Sequence, residues 1–175
     1  MFTRNWYKAF GWIMAMNNQY RTFTNVQGAN TNCSTYNSDW VKLNYNTDSY
    51  ATPSMWRVRT ALGQNAGIYF GTGTTAATID DYALSGEIIS TISYSSDVQV
   101  TLNDDIAALI GTYTVTNTGT ETITIGEVAL MAGLGGSGVN YQALLERTVL
   151  ESPITIEPGG VGQVTYTIRM NYPTA

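Results

Sequence analysis

Between Tyr113 and Tyr172 apolar and polar residues alternate with a near-unbroken period of two, the spacing of strands that bury one face and wet the other. A chain written this way has to satisfy its backbone by pairing ladders. In Thr112–Asn117, Tyr113 and Val115 point one way and Thr112, Thr114 and Thr116 the other. In the last strand Val164, Tyr166, Ile168 and Met170 face inward, with Gln163, Thr165, Thr167 and Arg169 outward; a slip of one residue would expose the whole apolar set. Asn117-Thr118-Gly119-Thr120 reads as a hairpin turn with Gly119 at positive φ, and Pro158-Gly159-Gly160 as a second turn. Ile123 and Ile125 are odd while Val128 and Leu130 are even, which predicts a bulge at Gly126 that resets the pleat.

Further strands are predicted at Met55–Leu62, Gly67–Phe70, Glu87–Tyr94 and Asp97–Leu102, the last with Val98, Val100 and Leu102 on one face. Residues 19–54 are polar and aromatic. Only Tyr20–Val26 and Trp40–Tyr45 look like strands there, and Gln27–Ser38 reads as loop. Trp6, Phe10 and Ile13, with Tyr7 and Met14 beside them, recur at helical spacing and predict a short amphipathic helix over 4–16 with Asn5 as its cap. Its aromatic face packs either on this chain's own sheet or on another subunit. The organisation expected is an N-terminal anchoring helix or arm over 1–18, an irregular region with short strands over 19–54, and an antiparallel β-sandwich over 55–175.

The apolar stretch Ala9–Met16 is too short to cross a bilayer and runs into Asn17-Asn18-Gln19 without a small-residue cleavage site. The expectation is a protein kept or assembled in a reducing cell, with no membrane partner. Cys33 is the single cysteine, so no disulfide framework exists within the chain, and it reads as a small buried apolar group, with a free thiol as the alternative. Charged residues make up only 12%, and the net charge of −5 divides into +4 over residues 1–60 and −9 over residues 61–175. The basic front, including Arg57 and Arg59, suits an acidic neighbour such as the rear of a second copy, or else is a set of solvated charges with no partner.

No histidine is present and the lysines are Lys8 and Lys42, which leaves a serine or cysteine nucleophile little to serve as base. Six glutamates could in principle pair for glycoside cleavage, but Glu121, Glu146, Glu151 and Glu157 fall at strand ends or on predicted solvent faces. Gly133-Leu-Gly-Gly-Ser-Gly138 matches G-x-G-x-x-G, but a dinucleotide fold would then need a parallel strand with an acidic residue near its end, whereas the chain runs through Glu146-Arg147-Thr148-Val149-Leu150 to Pro153 and another alternating strand, so it reads as a flexible loop between paired strands, with no nucleotide or other cofactor assigned. Asp80 and Asp81, with Asp104 and Asp105, carry the hard oxygens calcium takes. Their spacing matches no standard calcium loop, and the competing reading has Asp80 and Asp81 accepting backbone N–H bonds in a tight turn, so no metal is assigned. Trp40, Tyr45 and Trp56 are candidate glycan-stacking residues, or else core and interface fillers.

Three stretches together resemble a group of tailed-bacteriophage virion proteins: Asn5-Trp6-Tyr7-Lys8-Ala9, Gly71-Thr-Gly-Thr-Thr-Ala-Ala-Thr-Ile-Asp-Asp-Tyr-Ala-Leu84, and Arg147-Thr-Val-Leu-Glu-Ser-Pro-Ile-Thr-Ile-Glu-Pro-Gly-Gly160 followed by Val164-Thr-Tyr-Thr-Ile168. Thr114–Ile125 also resembles the strand–turn–strand of immunoglobulin-like adhesion modules. The resemblance implies an immunoglobulin-like sandwich and a non-enzymatic structural role in the virion, as capsid decoration or head fibre, with a tail component next. The implied partners are other virion subunits and further copies of the chain, with no nucleic acid, assembled in the host cytoplasm. Arg4, Trp6, Tyr7, Lys8, Phe10, Ile13, Arg57 and Arg59 are the expected docking residues. The alternative is a carbohydrate- or receptor-binding module that uses Trp40, Tyr45 and Trp56 on a host-surface glycan.

Overall fold

Alternation becomes pairing in the computed structural model, which describes residues 1–8, 21–33, 41–42, 58–59, 67–102, 106–136 and 139–171. Their strands are β1 (Arg21–Thr24), β2 (Asn30–Cys33), β3 (Val41–Lys42), β4 (Val58–Arg59), β5 (Gly67–Gly71), β6 (Ile92–Leu102), β7 (Ile106–Asn117), β8 (Ile123–Gly136), β9 (Val139–Ile156) and β10 (Val161–Asn171). The helix among these residues covers 4–8, and none is long and apolar enough to cross a membrane. The described residues are therefore mostly β-strand with almost no helix, on sheets that pair antiparallel except where β4 runs parallel to β5, with Val58 beside Ile68 and Arg59 beside Tyr69. It falls into two compact units: Met1–Ser90 with Thr124–Pro153, and Thr91–Ile123 with Ile154–Ala175.

The first unit is built on β8, which pairs with β5 from Gly67 opposite Met131 to Gly71 opposite Glu127, and also with β3 and β9. β5 is buried throughout, as is β8 from Ile125 to Ala132. Odd and even apolar residues both find cover there, so the change of parity does not by itself call for a reset of the pleat at Gly126, and the register against β5 runs over 127–131. Glycine is required at 126 because a side chain there would meet the Gly73 carbonyl oxygen 2.6 Å from its Cβ. Tyr69, Ala129, Met131 and Leu144 form one core cluster, against which Val26, Leu84 and Ile88 pack.

Three expectations are corrected in this unit. Asn30–Cys33, read as loop, is a strand paired with β1 across a turn in which Gly28 has φ 78° and the Asn25 side-chain oxygen accepts the N–H groups of Gln27 and Ala29 at 3.1 and 2.9 Å. Asn5 does not cap the helix. The Trp6 N–H closes on the Thr3 carbonyl at 3.1 Å, while the Asn5 amide, 2% exposed, donates to the Thr24 carbonyl and accepts the Thr24 N–H at 2.7 and 3.0 Å. Two bonds to a strand backbone outweigh one cap. Glu87–Tyr94 is not one strand: Ile88 bridges Gly71 and regular pairing resumes at Ile92.

The second unit centres on β7, with β10 and β6 on either side. Val164 lies opposite Tyr113 and Tyr166 opposite Gly111. Val164, Tyr166 and Ile168 are buried while Gln163, Thr165, Thr167 and Arg169 are exposed, as the alternation predicts, and each buried side chain stabilises by about 1.5–3 kcal/mol. Gly159 has φ 72° and the Gly160 N–H returns to the Glu157 carbonyl at 2.8 Å, a turn that favours proline second and glycine or asparagine third. Residues 118–122 do not close a hairpin, because β7 and β8 belong to different sheets, and Gly119 is not among the positive-φ glycines of the described residues. Buried Asn117 holds this connection instead. Its Nδ2 donates to the Glu121 and Ile156 carbonyls at 2.8 and 3.0 Å, and its Oδ1 accepts the Gly119 N–H at 2.9 Å.

Candidate functional site

Glu127 is the one charged residue in the run Ile123–Gly136, and Arg147 the one cation in Val139–Ile156. On paired, buried strands two such charges must find each other or stay uncompensated. They do meet: Arg147 Nε donates to Glu127 Oε2 at 2.5 Å, with the side chains 2% and 0% exposed. Arg147 Nη1 donates to Asp81 Oδ2, and Nη2 to the Thr75 carbonyl and Ser85 Oγ, each at 2.6 Å. The partners beyond Glu127 all lie on the connection between β5 and β6, so one guanidinium fastens that strap to the sheet from three directions. Only the planar fork of arginine can do this.

Glu127 grips the same strap by its backbone. Oε1 accepts the N–H groups of Gly86 and Gly73 at 2.8 and 3.1 Å, and Oε2 accepts that of Ser85 at 3.2 Å. The approach is close enough to require glycine: a Cβ on Gly73 would lie 2.0 Å from Ser85 Oγ and 2.3 Å from Glu127 Oε1, and one on Gly86 2.2 Å from the Gly73 nitrogen.

Burial alone pushes the Glu127 carboxyl up, but the bond from Arg147, then the N–H groups of Gly86 and Ser85, outweigh it and hold the group below its ordinary value. Burial likewise pushes Asp81 up. The N–H and hydroxyl of Thr78, then Arg147, more than offset this. Arg147 is lowered by burial and raised further by Glu127 and Asp81, ending above its ordinary value. Every member of the network is therefore charged at neutral pH. Such an arrangement fixes geometry and holds no group poised to give or take a proton.

The N-terminal segment joins the same construction. Phe2 bridges Glu146, the Thr3 N–H donates to the Leu145 carbonyl at 2.9 Å, and the Arg147 N–H donates to the Met1 carbonyl at 3.1 Å. Thr3 Oγ1 donates to the Leu144 carbonyl at 2.6 Å. The Arg4 N–H reaches the Ile79 carbonyl at 2.9 Å, and its guanidinium pairs with Asp80 on the surface, whose hydrogen bond holds the Asp80 carboxyl below its ordinary value. Glu146, expected on a solvent face, is only 5% exposed. It lies beside the N-terminal segment and accepts Thr148 Oγ1–H at 2.6 Å.

Of the expected docking residues, Arg4 is thus engaged within the chain, Trp6 stacks on Phe2 with ring centroids 4.3 Å apart, and Tyr7 and Lys8 are exposed. Phe10, Ile13 and Arg57, with Trp40, Tyr45 and Trp56, lie outside the described residues. Arg59 lies on β4, where only its backbone is described. Asp80 and Asp81 do not converge on a cation site; each faces a different arginine. Asp104 and Asp105 lie outside the described residues, among which no group of three potential metal ligands occurs. The Gly133–Gly138 segment is strand as far as Gly136 and leads into strand β9, so it lacks the helix N-terminus that a phosphate-binding turn requires. No protein-family model, curated protein or solved structure matches the chain.

Glu127 and Arg147 escape a reading by alternation because that method assigns charged residues to the wet face. Their signal was scarcity: Glu127 is the one charged residue in β8 and Arg147 the one cation in β9.

Proposed function

We propose that this chain is a non-enzymatic structural component of a tailed-bacteriophage particle, a capsid decoration or head-fibre protein first and a tail component next, folded as an immunoglobulin-like sandwich and repeated in many copies. One observation carries the reading. Two of the segments that resemble virion proteins, at residues 71–84 and 147–160, are far apart in sequence, yet Thr75 and Asp81 of the first are bonded to Arg147 of the second, and Arg4, immediately before the third segment at 5–9, is bonded to Ile79 and Asp80 of the first. Residues kept together as a pattern and interlocked in space are explained by a shared architectural task. The ionic groups of the assembly are turned on one another, which suits a scaffold more than a reaction centre.

Tyr7, 59% exposed, and Lys8 extend from this assembly as contacts for a neighbouring subunit. Many weak copies of such a contact add up on a symmetric lattice. The test is quantitative mass spectrometry of gradient-purified particles from cells that express the chain. The reading requires recovery at a fixed stoichiometry to the major capsid protein, reduced at least tenfold by the double substitution Tyr7→Ala/Lys8→Glu with solubility unchanged. Recovery only in the particle-free fraction would contradict it.

A further inference from the structure

Besides the ionic network, the strap builds an apolar hollow. Val26, Ala83, Leu84 and Ile88, each half-buried, line a cavity of about 270 Å³ together with Met131 and Glu87. Met131 is 1% exposed and belongs to the core cluster on which Val26, Leu84 and Ile88 pack, so the hollow opens directly over the core. Its backbone has little left to offer a ligand. The Gly86 N–H is spent on Glu127, the Glu87 N–H on Thr72 Oγ1 at 3.0 Å, and the Val26 N–H on the Gln142 carbonyl at 3.0 Å. The Glu87 side chain is exposed and makes no ion pair among the described residues. Apolar walls beside one open carboxylate fit an apolar group that carries a cation next to it.

The chain itself presents such a group. The large apolar side chains exposed among the described residues are Met1, Tyr7, Ile79, Tyr82, Tyr94 and Val161. Ile79 and Tyr82 adjoin Asp80 and Asp81, while Met1, Tyr94 and Val161 adjoin uncharged residues. Tyr7 differs: it is followed by Lys8, which is exposed and makes no ion pair among the described residues. Because Tyr7 stands in solvent on its own molecule, 59% exposed, the hollow it fills belongs to another. We propose that Tyr7 of one copy of the chain inserts into the hollow over Met131 of a second copy, where Lys8 pairs with Glu87. The charge division of the sequence agrees, since Lys8 belongs to the half that carries +4 and Glu87 to the half that carries −9. A phenol suits the place because its ring is apolar and its hydroxyl can stay in water at the mouth. One ring and one ion pair make a weak contact, smaller than a stable dimer needs, and repetition on a lattice multiplies it. The inference rests on Tyr7 and Lys8 being subunit contacts and adds which subunit they meet.

The experiment is sedimentation equilibrium of the full chain at low salt. The weight-average mass is expected to rise with concentration up to about 1 mM, the range of a weak single contact. Tyr7→Ala should weaken association about tenfold, and Lys8→Glu and Glu87→Lys about threefold to fivefold each, all with an unchanged melting temperature because the three side chains are exposed. The double exchange Lys8→Glu/Glu87→Lys should restore association, an outcome that a merely structural role for either residue would not give. Ala83→Trp fills the hollow and should also weaken association. Mixed in equal amounts, Ala83→Trp and Tyr7→Ala should form one-to-one pairs, since the first still offers Tyr7 and the second an open hollow. A protein that stays monomeric up to about 1 mM, association indifferent to Glu87→Lys, or a double exchange that restores nothing would each overturn the proposal. Incorporation into particles by a chain that fails these tests would leave the particle reading standing, so the two fail separately.

Discussion

Replacing Arg147 with methionine removes the cation and keeps an apolar stem of similar reach, so it isolates what the guanidinium does. The change deletes four hydrogen bonds of 2.5–2.6 Å and strands a carboxylate that is 0% exposed. Removing one partner of a buried pair costs about 3–5 kcal/mol. Here the lower half of that range applies, because Glu127 keeps the N–H groups of Gly73, Ser85 and Gly86. A loss of about 3–4 kcal/mol corresponds to a fall in melting temperature of about 10 °C for a chain of this size. Urea denaturation followed by circular dichroism measures it, and limited chymotrypsin digestion reports on the strap, where Tyr82 and Leu84 become cleavable. Adding Glu127→Gln should recover about 2 kcal/mol relative to the sum of the single changes, since the acceptor oxygen remains and the buried charge does not. Arg147→Lys should behave more like methionine than like arginine, because one ammonium cannot reach Glu127, Asp81, Thr75 and Ser85 together. A cost below about 1 kcal/mol for Arg147→Met, the scale of an exposed ion pair, would refute the reasoning.

The same geometry gives three further expected outcomes. Glu127 and Asp81 are held below their ordinary values, so their stabilisation is complete above the unfolded carboxylate range near pH 4 and is lost as pH falls through the folded values; acid titration by fluorescence should show unfolding below about pH 4, and Glu127→Gln should flatten that limb. Gly73→Ala places a methyl 2.0 Å from Ser85 Oγ and should destabilise by about 1–3 kcal/mol in thermal denaturation, whereas Gly159→Asn, where nothing lies within 4 Å and asparagine tolerates positive φ, should change the melting temperature little. Asn117→Ala leaves the Glu121 and Ile156 carbonyls without their donor and should cost about 1–3 kcal/mol in urea denaturation.

The three-stranded sheet was largely legible in the sequence because one of its faces is wet. Val164, Tyr166 and Ile168 alternate with exposed Gln163, Thr165 and Thr167, and burial is what a period of two reports. The first unit was harder to read for the opposite reason. β5 and most of β8 are buried on both faces, so parity carries little information there, and the close approach of the Gly73 carbonyl to Gly126 is a tertiary contact that no local pattern announces. The hairpin expected at Asn117–Thr120 failed because local turn residues do not specify which sheet the next strand joins. The Arg147 network was invisible to pattern because its members lie on two strands and a strap, joined by side-chain geometry that no spacing encodes.

Native-state hydrogen exchange on the intact protein tests most directly whether the separated segments act as one structural body. The amides of Thr3 and Arg4 in the N-terminal segment, Gly73, Ser85 and Gly86 in the strap, and Arg147 on β9 each donate to a partner on another of these elements or on β8. They should exchange through one shared opening, with protection lost together in Arg147→Met. Protection that differs widely among the three segments, or that survives in the strap when Arg147 is replaced, would contradict the interlocked scaffold on which the functional reading is built.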